Sequence, residues 1–205
     1  DIVPPLFLRL VGRACGLQVR CVGHARRGAL LLANHVSWLD IFALAGAARA
    51  IFVAHAGLAE NPTLRWFCRQ NDTVFITRER RGSVARQVKQ VRDALHAHRP
   101  LAIFPEGTTG NGRQLLPFKS SLLSAMEAVS HEVAVQPVAL DFADAAEIAW
   151  FDAEPGLANV GRMLRRKGRV RLTIHFLEPL AGEALRDRKT MAAAAEAAIR
   201  RALRL

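Results

Sequence analysis

The sequence predicts an α/β domain, a mostly parallel central sheet of about seven strands flanked by helices. Three observations predict it. Short apolar or β-branched runs alternate along the chain with longer segments whose apolar residues recur at helical spacing. The runs Ala29 to Ala33 and Leu101 to Phe104 are wholly apolar, as strands buried on both faces are. At 205 residues, with 51% hydrophobic and 23% charged, the chain can enclose a sizeable core and is too apolar to be disordered.

Taken in order, residues 3–16 put Leu6, Phe7, Leu10, Val11 and Ala14 on one face, with Arg9 and Arg13 beside them, after Pro4-Pro5. This is a short basic amphipathic helix, suited either to a membrane interface or to covering the core. Residues 1–17 therefore form a candidate membrane-contact segment ahead of a single domain, 18–205, without repeat or linker. No apolar run approaches the ~20 residues that cross a bilayer. The first residue is Asp1 and not Met, which leaves room for a preceding segment that carries an anchor.

Gln18 to Val22 and Ala29 to Ala33 read as strands around a turn, and Leu39 to Ala47 as a helix. Ala50 to Ala54 is a third strand. Pro62 then opens a helix to about Gln70, at the position proline prefers. Thr73 to Thr77 is a β-branched and aromatic strand that delivers Arg78 at its end. From Ser83 to His98, Val84, Val88, Val91 and Leu95 share a helix face, with Arg86, Lys89 and Arg92 outside it. Leu101 to Phe104 and Val133 to Leu140 are buried-type strands separated by a helix from Ser120 to Val129. Gly156 to Lys167 is a basic helix, Arg169 to Phe176 an alternating strand, and Lys189 to Leu205 a closing helix.

Twenty-nine basic residues against eighteen acidic ones leave a net charge of +11, which attracts polyanions: nucleic acid, anionic lipid headgroups, or phosphorylated and acidic substrates. The chain has no tyrosine and no interleaved aromatic–basic stretch of the RNA-binding kind. A basic nucleic-acid-binding protein is thus the alternative of another class, and no nucleic-acid partner is expected. Cys15, Cys21 and Cys68 are odd in number and form no Cys-x-x-Cys, so neither a disulfide framework nor a structural zinc site is indicated. No metal or cofactor is expected.

Chemistry is concentrated in Asn34-His35-Val36-Ser37-Trp38-Leu39-Asp40, where an apolar run gives way to a helical pattern. A neutral imidazole can take a proton from a hydroxyl near pH 7, and a carboxylate on its far nitrogen fixes the tautomer and stabilises the imidazolium. Ser37 and Asp40 also have the Ser-x-x-Asp spacing of a capping box. The two readings are compatible, because a carboxylate at the third helical position points back towards the helix start. A second stretch, Phe104-Pro105-Glu106-Gly107-Thr108-Thr109-Gly110, ends a buried strand in a turn whose exposed backbone N–H groups suit an anion; its plainer reading is a Pro-Glu-Gly turn. In an open α/β sheet the loops that leave the carboxyl ends of strands form the ligand site, so the His35, Arg78 and Glu106 loops can meet at one edge.

In this order, Asn-His with Ser-Trp-Leu-Asp, then Phe75-Ile76-Thr77-Arg78, then Phe-Pro-Glu-Gly-Thr, then Val135-Gln136-Pro137-Val138, the chain resembles the glycerolipid acyltransferases over roughly residues 20–180. The nearest kind is the bacterial 1-acyl-sn-glycerol-3-phosphate acyltransferase family. The resemblance implies acyl transfer from a thioester of coenzyme A or acyl-carrier protein to the free hydroxyl of a lysolipid, without an acyl-enzyme. The first acceptor it implies is 1-acyl-sn-glycerol-3-phosphate, giving phosphatidic acid. By the same resemblance, His35 is the general base and Asp40 its partner, while Arg78 grips the acceptor's phosphate. Glu106 bonds the acceptor or braces the loop, Gly107 and Thr108 admit the headgroup, Lys119 is a second anion contact, and Pro137 shapes the site. The amphipathic residues 3–16 and the net charge predict an anionic membrane surface as partner, and the cysteine usage a reducing setting, at the cytoplasmic face of the bacterial inner membrane. The departures are Thr109, where many phosphatidic-acid-forming members have arginine, Thr77, where an acidic or amide residue is frequent, and Ser120-Ser121, where a glycine is common. They bring lyso-ornithine lipid forward as the alternative acceptor.

Overall fold

The runs read from the sequence resolve into seven strands in the computed structural model, which describes residues 3–55, 73–76, 84–96, 98–150 and 154–205. The strands are β1 (Leu17–Val22), β2 (Leu30–Ala33), β3 (Ile51–His55), β4 (Val74–Ile76), β5 (Leu101–Ile103), β6 (Val135–Phe142) and β7 (Val170–Phe176). They form one sheet in the order β1-β7-β6-β2-β5-β3-β4. Strand β2 lies at the centre, with Leu30 opposite Leu101 on one side and Val135 on the other. Five strands, β6, β2, β5, β3 and β4, run parallel; β7 is antiparallel to β6, and β1 runs with β7.

Side chains of β2 alternate between the faces, and both faces are covered, so all four of its residues are buried. Leu31 and Ala33 join a core beneath α1 (Val3–Ala14), α2 (Leu39–Ala48), α5 (Ala145–Ile148) and α6 (Gly156–Arg165). Leu30 and Leu32 join a second core beneath α3 (Val84–His96), α4 (Ser124–Glu127) and α7 (Arg188–Leu203). The first helix belongs to this body, since Leu8 is buried against α2. The crossing is close because Gly12 and Gly46 lie at it: a Cβ on Gly46 would come within 3.0 Å of Arg9 Cβ.

The parallel direction of β2, β5 and β6 brings their carboxyl ends to one edge. The excursion between β6 and β7, which holds α5 and α6, leaves from that edge. The amide of Val170 donates to Gly16 O at 3.0 Å, so the end of α1 meets the end of this excursion.

One expectation changes and one element is added. The segment Ser120 to Val129 is not one helix but a 3-10 turn, Ser120–Leu123, followed by the single turn of α4, and Ser124 Oγ turns back to donate to Ser121 O at the junction. The one-turn helix α5 went unread, being too short to show a period. The expected helix from Pro62 to Gln70, and Cys68, Thr77 and Arg78, lie outside the described residues. No described helix is long and apolar enough to cross a membrane.

Candidate active site

Asn34 sets the loop after β2. Its side chain closes a double hydrogen bond with the backbone of Leu140 on β6, donating from Nδ2 to Leu140 O (3.1 Å) and accepting at Oδ1 from Leu140 N (2.7 Å). An amide side chain thus continues the strand pairing one residue beyond β2. The chain can then leave the sheet at His35 with these buried groups satisfied.

His35 Nδ1 lies 2.8 Å from Asp40 Oδ2. The same oxygen accepts the backbone N–H groups of Val36 (2.7 Å) and Ser37 (3.0 Å). Asp40 is fully buried and the His35 side chain is 18% exposed. With Nδ1 held as the donor to Asp40, Nε2 is the nitrogen left to accept a proton. The ring stacks on Phe104, at 4.0 Å between centroids and 13° between planes, and Phe104 in turn stacks on Phe52. The capping-box expectation is half met. Asp40 does take the Ser37 N–H, but helix α2 begins after Trp38, with no side-chain cap there.

The β5 loop is bonded to this one. Glu106 is buried, and its Oε1 accepts His35 N at 2.7 Å while Oε2 accepts Leu116 N at 3.0 Å. Of the two roles expected of Glu106, bracing is the one these bonds perform. Burial pushes its carboxyl up to about 7, against the pull of the two amides and of His35. The amide of Gly110 donates to His35 O at 2.8 Å, closing the second link between the loops. Gly107 sits at φ +71°, a conformation glycine adopts freely, and it and Thr108 are exposed beside the turn. Lys119 is exposed, and its amide donates to Pro105 O, which ties it to the base of the same loop. Pro137 lies within β6, opposite Leu32, and its carbonyl accepts Leu177 N. Strand β4 ends at the same edge as β2 and β5, but Arg78 beyond it is not among the described residues.

A third wall escaped the sequence reading. Trp38 Nε1 donates to Asn159 Oδ1 of α6 at 2.9 Å, and Asn159 Nδ2 donates to Glu154 Oε2 at 2.7 Å. Arg162 then binds Glu154 and the carbonyls of Glu147 and Ala149. Bonds from Arg162 and Asn159 hold the Glu154 carboxyl down, at about 2. Trp150 N donates to Val36 O, and Thr109 Oγ1 donates to Trp150 O. The 143–166 excursion is therefore clamped to both site loops. The only local signal was an asparagine on the inward face of a basic helix.

A buried carboxylate behind a histidine, braced by a second loop at the carboxyl edge of a parallel sheet, is an arrangement able to take a proton from a bound hydroxyl. Comparison with known proteins gives the class: residues 18–141 match the acyltransferase family, and the chain belongs to that family. It is 33% identical to a lyso-ornithine lipid O-acyltransferase of Brucella abortus, over 97% of this chain and 80% of that protein. It is 38% identical to one of Pseudomonas aeruginosa, over 98% and 81%. A 1-acyl-sn-glycerol-3-phosphate acyltransferase of Neisseria gonorrhoeae is 36% identical over 71% of this chain and 56% of that protein. The crystal structure of the Thermotoga maritima 1-acyl-sn-glycerophosphate acyltransferase has the same fold, with a TM-score of 0.66 at 21% identity, covering 98% of this chain and 78% of that one.

Proposed function

We propose that this acyltransferase esterifies the free hydroxyl of a lyso-ornithine lipid, with His35 as general base. His35 Nε2 takes the hydroxyl proton, the alkoxide attacks the thioester carbonyl, and the tetrahedral intermediate expels the thiolate, which recovers the proton from the imidazolium. Asp40 holds the ring and offsets its positive charge in that step. The donor is an acyl thioester of coenzyme A or of acyl-carrier protein; both are polyanions suited to a chain of net charge +11. The enzyme works as a peripheral protein on an anionic membrane at the cytoplasmic face of the inner membrane, with α1 as one contact.

The observation that carries the acceptor is the extent of the likeness. The Brucella and Pseudomonas lyso-ornithine lipid acyltransferases match 97% and 98% of the chain, and the Neisseria 1-acyl-sn-glycerol-3-phosphate enzyme 71% of it. The site agrees with this. Where many phosphatidic-acid-forming members have an arginine, Thr109 stands, with its hydroxyl turned to Trp150 O. The second reading, 1-acyl-sn-glycerol-3-phosphate as acceptor, draws on the Neisseria relative.

Purified protein given both lysolipids with each donor, and read by mass spectrometry, decides between them. The proposal expects at least a tenfold higher kcat/KM for lyso-ornithine lipid, and a preference for the phosphate acceptor overturns it. His35→Ala should lower turnover by on the order of 10²–10⁴-fold on the preferred acceptor.

A further inference from the structure

Helix α6 carries an apolar stripe that nothing among the described residues covers. Leu157 is 88% exposed and Leu164 is 62% exposed, the two largest values among the exposed large hydrophobic residues of the described chain. At ~100° per residue they lie within about 20° of each other, roughly 100–160° around the helix from Asn159 and Met163, which face the core. The stripe is thus turned outward by the same bonds that clamp α6 to the catalytic loop.

Its charge surroundings are one-sided. From Pro155 to Arg171 there are six basic residues and no acidic one. Arg162 and Arg166 pair with Glu154, Asp144 and Glu147, while Arg165, Lys167 and Arg169 are exposed. Arg169 shares an open groove with Arg9 and Arg13 of α1, on the helix that exposes Leu6, Phe7 and Leu10. The two helices lie over the same core, and Gly16, just after α1, accepts the amide of Val170 at the start of β7. Two leucines on one helix are far short of the ~800 Å² per partner that a stable protein interface covers. An amphipathic helix needs only a shallow apolar face and cationic flanks to lie in the surface of an anionic bilayer.

We propose that the outward face of α6 is a bilayer-docking surface for anionic phospholipid, which seats the rim of the His35 loop on the membrane that supplies the acceptor. This use of the surface rests on the reading that the acceptor is a lysolipid. The link to the site is short: Asn159 holds Trp38, three residues from His35.

The test uses the 205-residue chain and the pair Leu157→Asp with Leu164→Asp. Vesicles of phosphatidylcholine with 30% phosphatidylglycerol are sedimented at low salt. The paired variant should bind at least about tenfold more weakly than the parent, since each leucine loses its apolar transfer. Its turnover on lysolipid carried in those vesicles should fall alike, while turnover on a short-chain lysolipid below its micelle concentration stays within twofold. In Leu157→Trp, brominated phospholipid should quench emission beyond the parent's, a gain of signal independent of the paired variant's folding. Parent protein that does not bind the vesicles, or a paired variant that binds within twofold of it, overturns the proposal. So does a parent dimer that the pair dissociates without change in vesicle binding. A parent without activity on any lysolipid would sink the functional reading, while sedimentation and quenching still decide the docking.

Discussion

Replacing Asp40 with asparagine separates the two roles of this carboxylate. The asparagine oxygen fits where Oδ2 lies, because that position faces three donors, His35 Nδ1 and the amides of Val36 and Ser37. The amide nitrogen then takes the place of Oδ1, which is buried without a hydrogen-bond partner. An unpaired buried NH₂ costs about 1–3 kcal/mol, partly offset because no charge remains to be buried. For a chain of this size the melting temperature should fall by roughly 2–10 °C. The tautomer survives, since the oxygen still accepts from Nδ1, so the catalytic loss is that of the charge facing the imidazolium. At ~4 Å and an effective dielectric constant of ~20 that attraction is worth about 4 kcal/mol. Turnover should therefore drop on the order of 10²–10³-fold. Thiol release from the acyl donor in the presence of lysolipid measures turnover, and circular dichroism the melting. If the variant melts lower but turns over within about tenfold of the parent, Asp40 only shapes the loop and the base mechanism fails.

Three further outcomes follow from the site and its supports. The Glu106 carboxyl is raised from its ordinary value of 4.5 to about 7, so the native state holds its proton more tightly than the unfolded chain. Its contribution to stability is greatest at low pH and is lost as pH rises from 4.5 through 7, by up to about 3 kcal/mol. Urea unfolding of Glu106→Gln across pH 5–8 should lack that slope, and parallel slopes in parent and variant would refute it. Gly112→Ala should destabilise by more than about 2 kcal/mol, read as a lower urea midpoint, because φ is +72° and the new Cβ would lie 2.7 Å from the Ala145 backbone. Arg78→Lys should raise the acceptor's KM and leave the donor's KM unchanged, as a carboxylate or phosphate loses a bidentate partner. An acceptor KM within twofold of the parent would make Arg78 a surface cation.

The sheet was legible because its central strands are buried on both faces, and that leaves wholly apolar runs such as Leu30 to Leu32 in the sequence. The reversal of β7 against β6 was not, since parallel and antiparallel neighbours of a buried strand carry the same residue types. The 120–129 segment misled because Leu122, Leu123, Ala125, Met126 and Val129 keep a helical period through the break at Ser124. Core contact sets that period whether the backbone is one helix or two short turns. The wall made by α6 was invisible for another reason: Trp38 and Asn159 are 121 residues apart, and neither residue type announces a partner.

Asp40 shows why shaping the loop and holding the imidazole were never true alternatives. A loop that leaves a strand for a helix carries buried amides without backbone partners, and a carboxylate in the first turn of that helix can reach back to take them. Here Oδ2 accepts Val36 N and Ser37 N, and those bonds fix the oxygen in place. The chain that supplies the amides has just left β2, so His35, the residue before Val36, is carried over the same oxygen, with Glu106 holding its own amide from the other side. The five-residue spacing is thus the length of one loop wrapped around one carboxylate oxygen. The imidazole is a third donor to that oxygen, which leaves Nε2 as the ring nitrogen that can accept a proton.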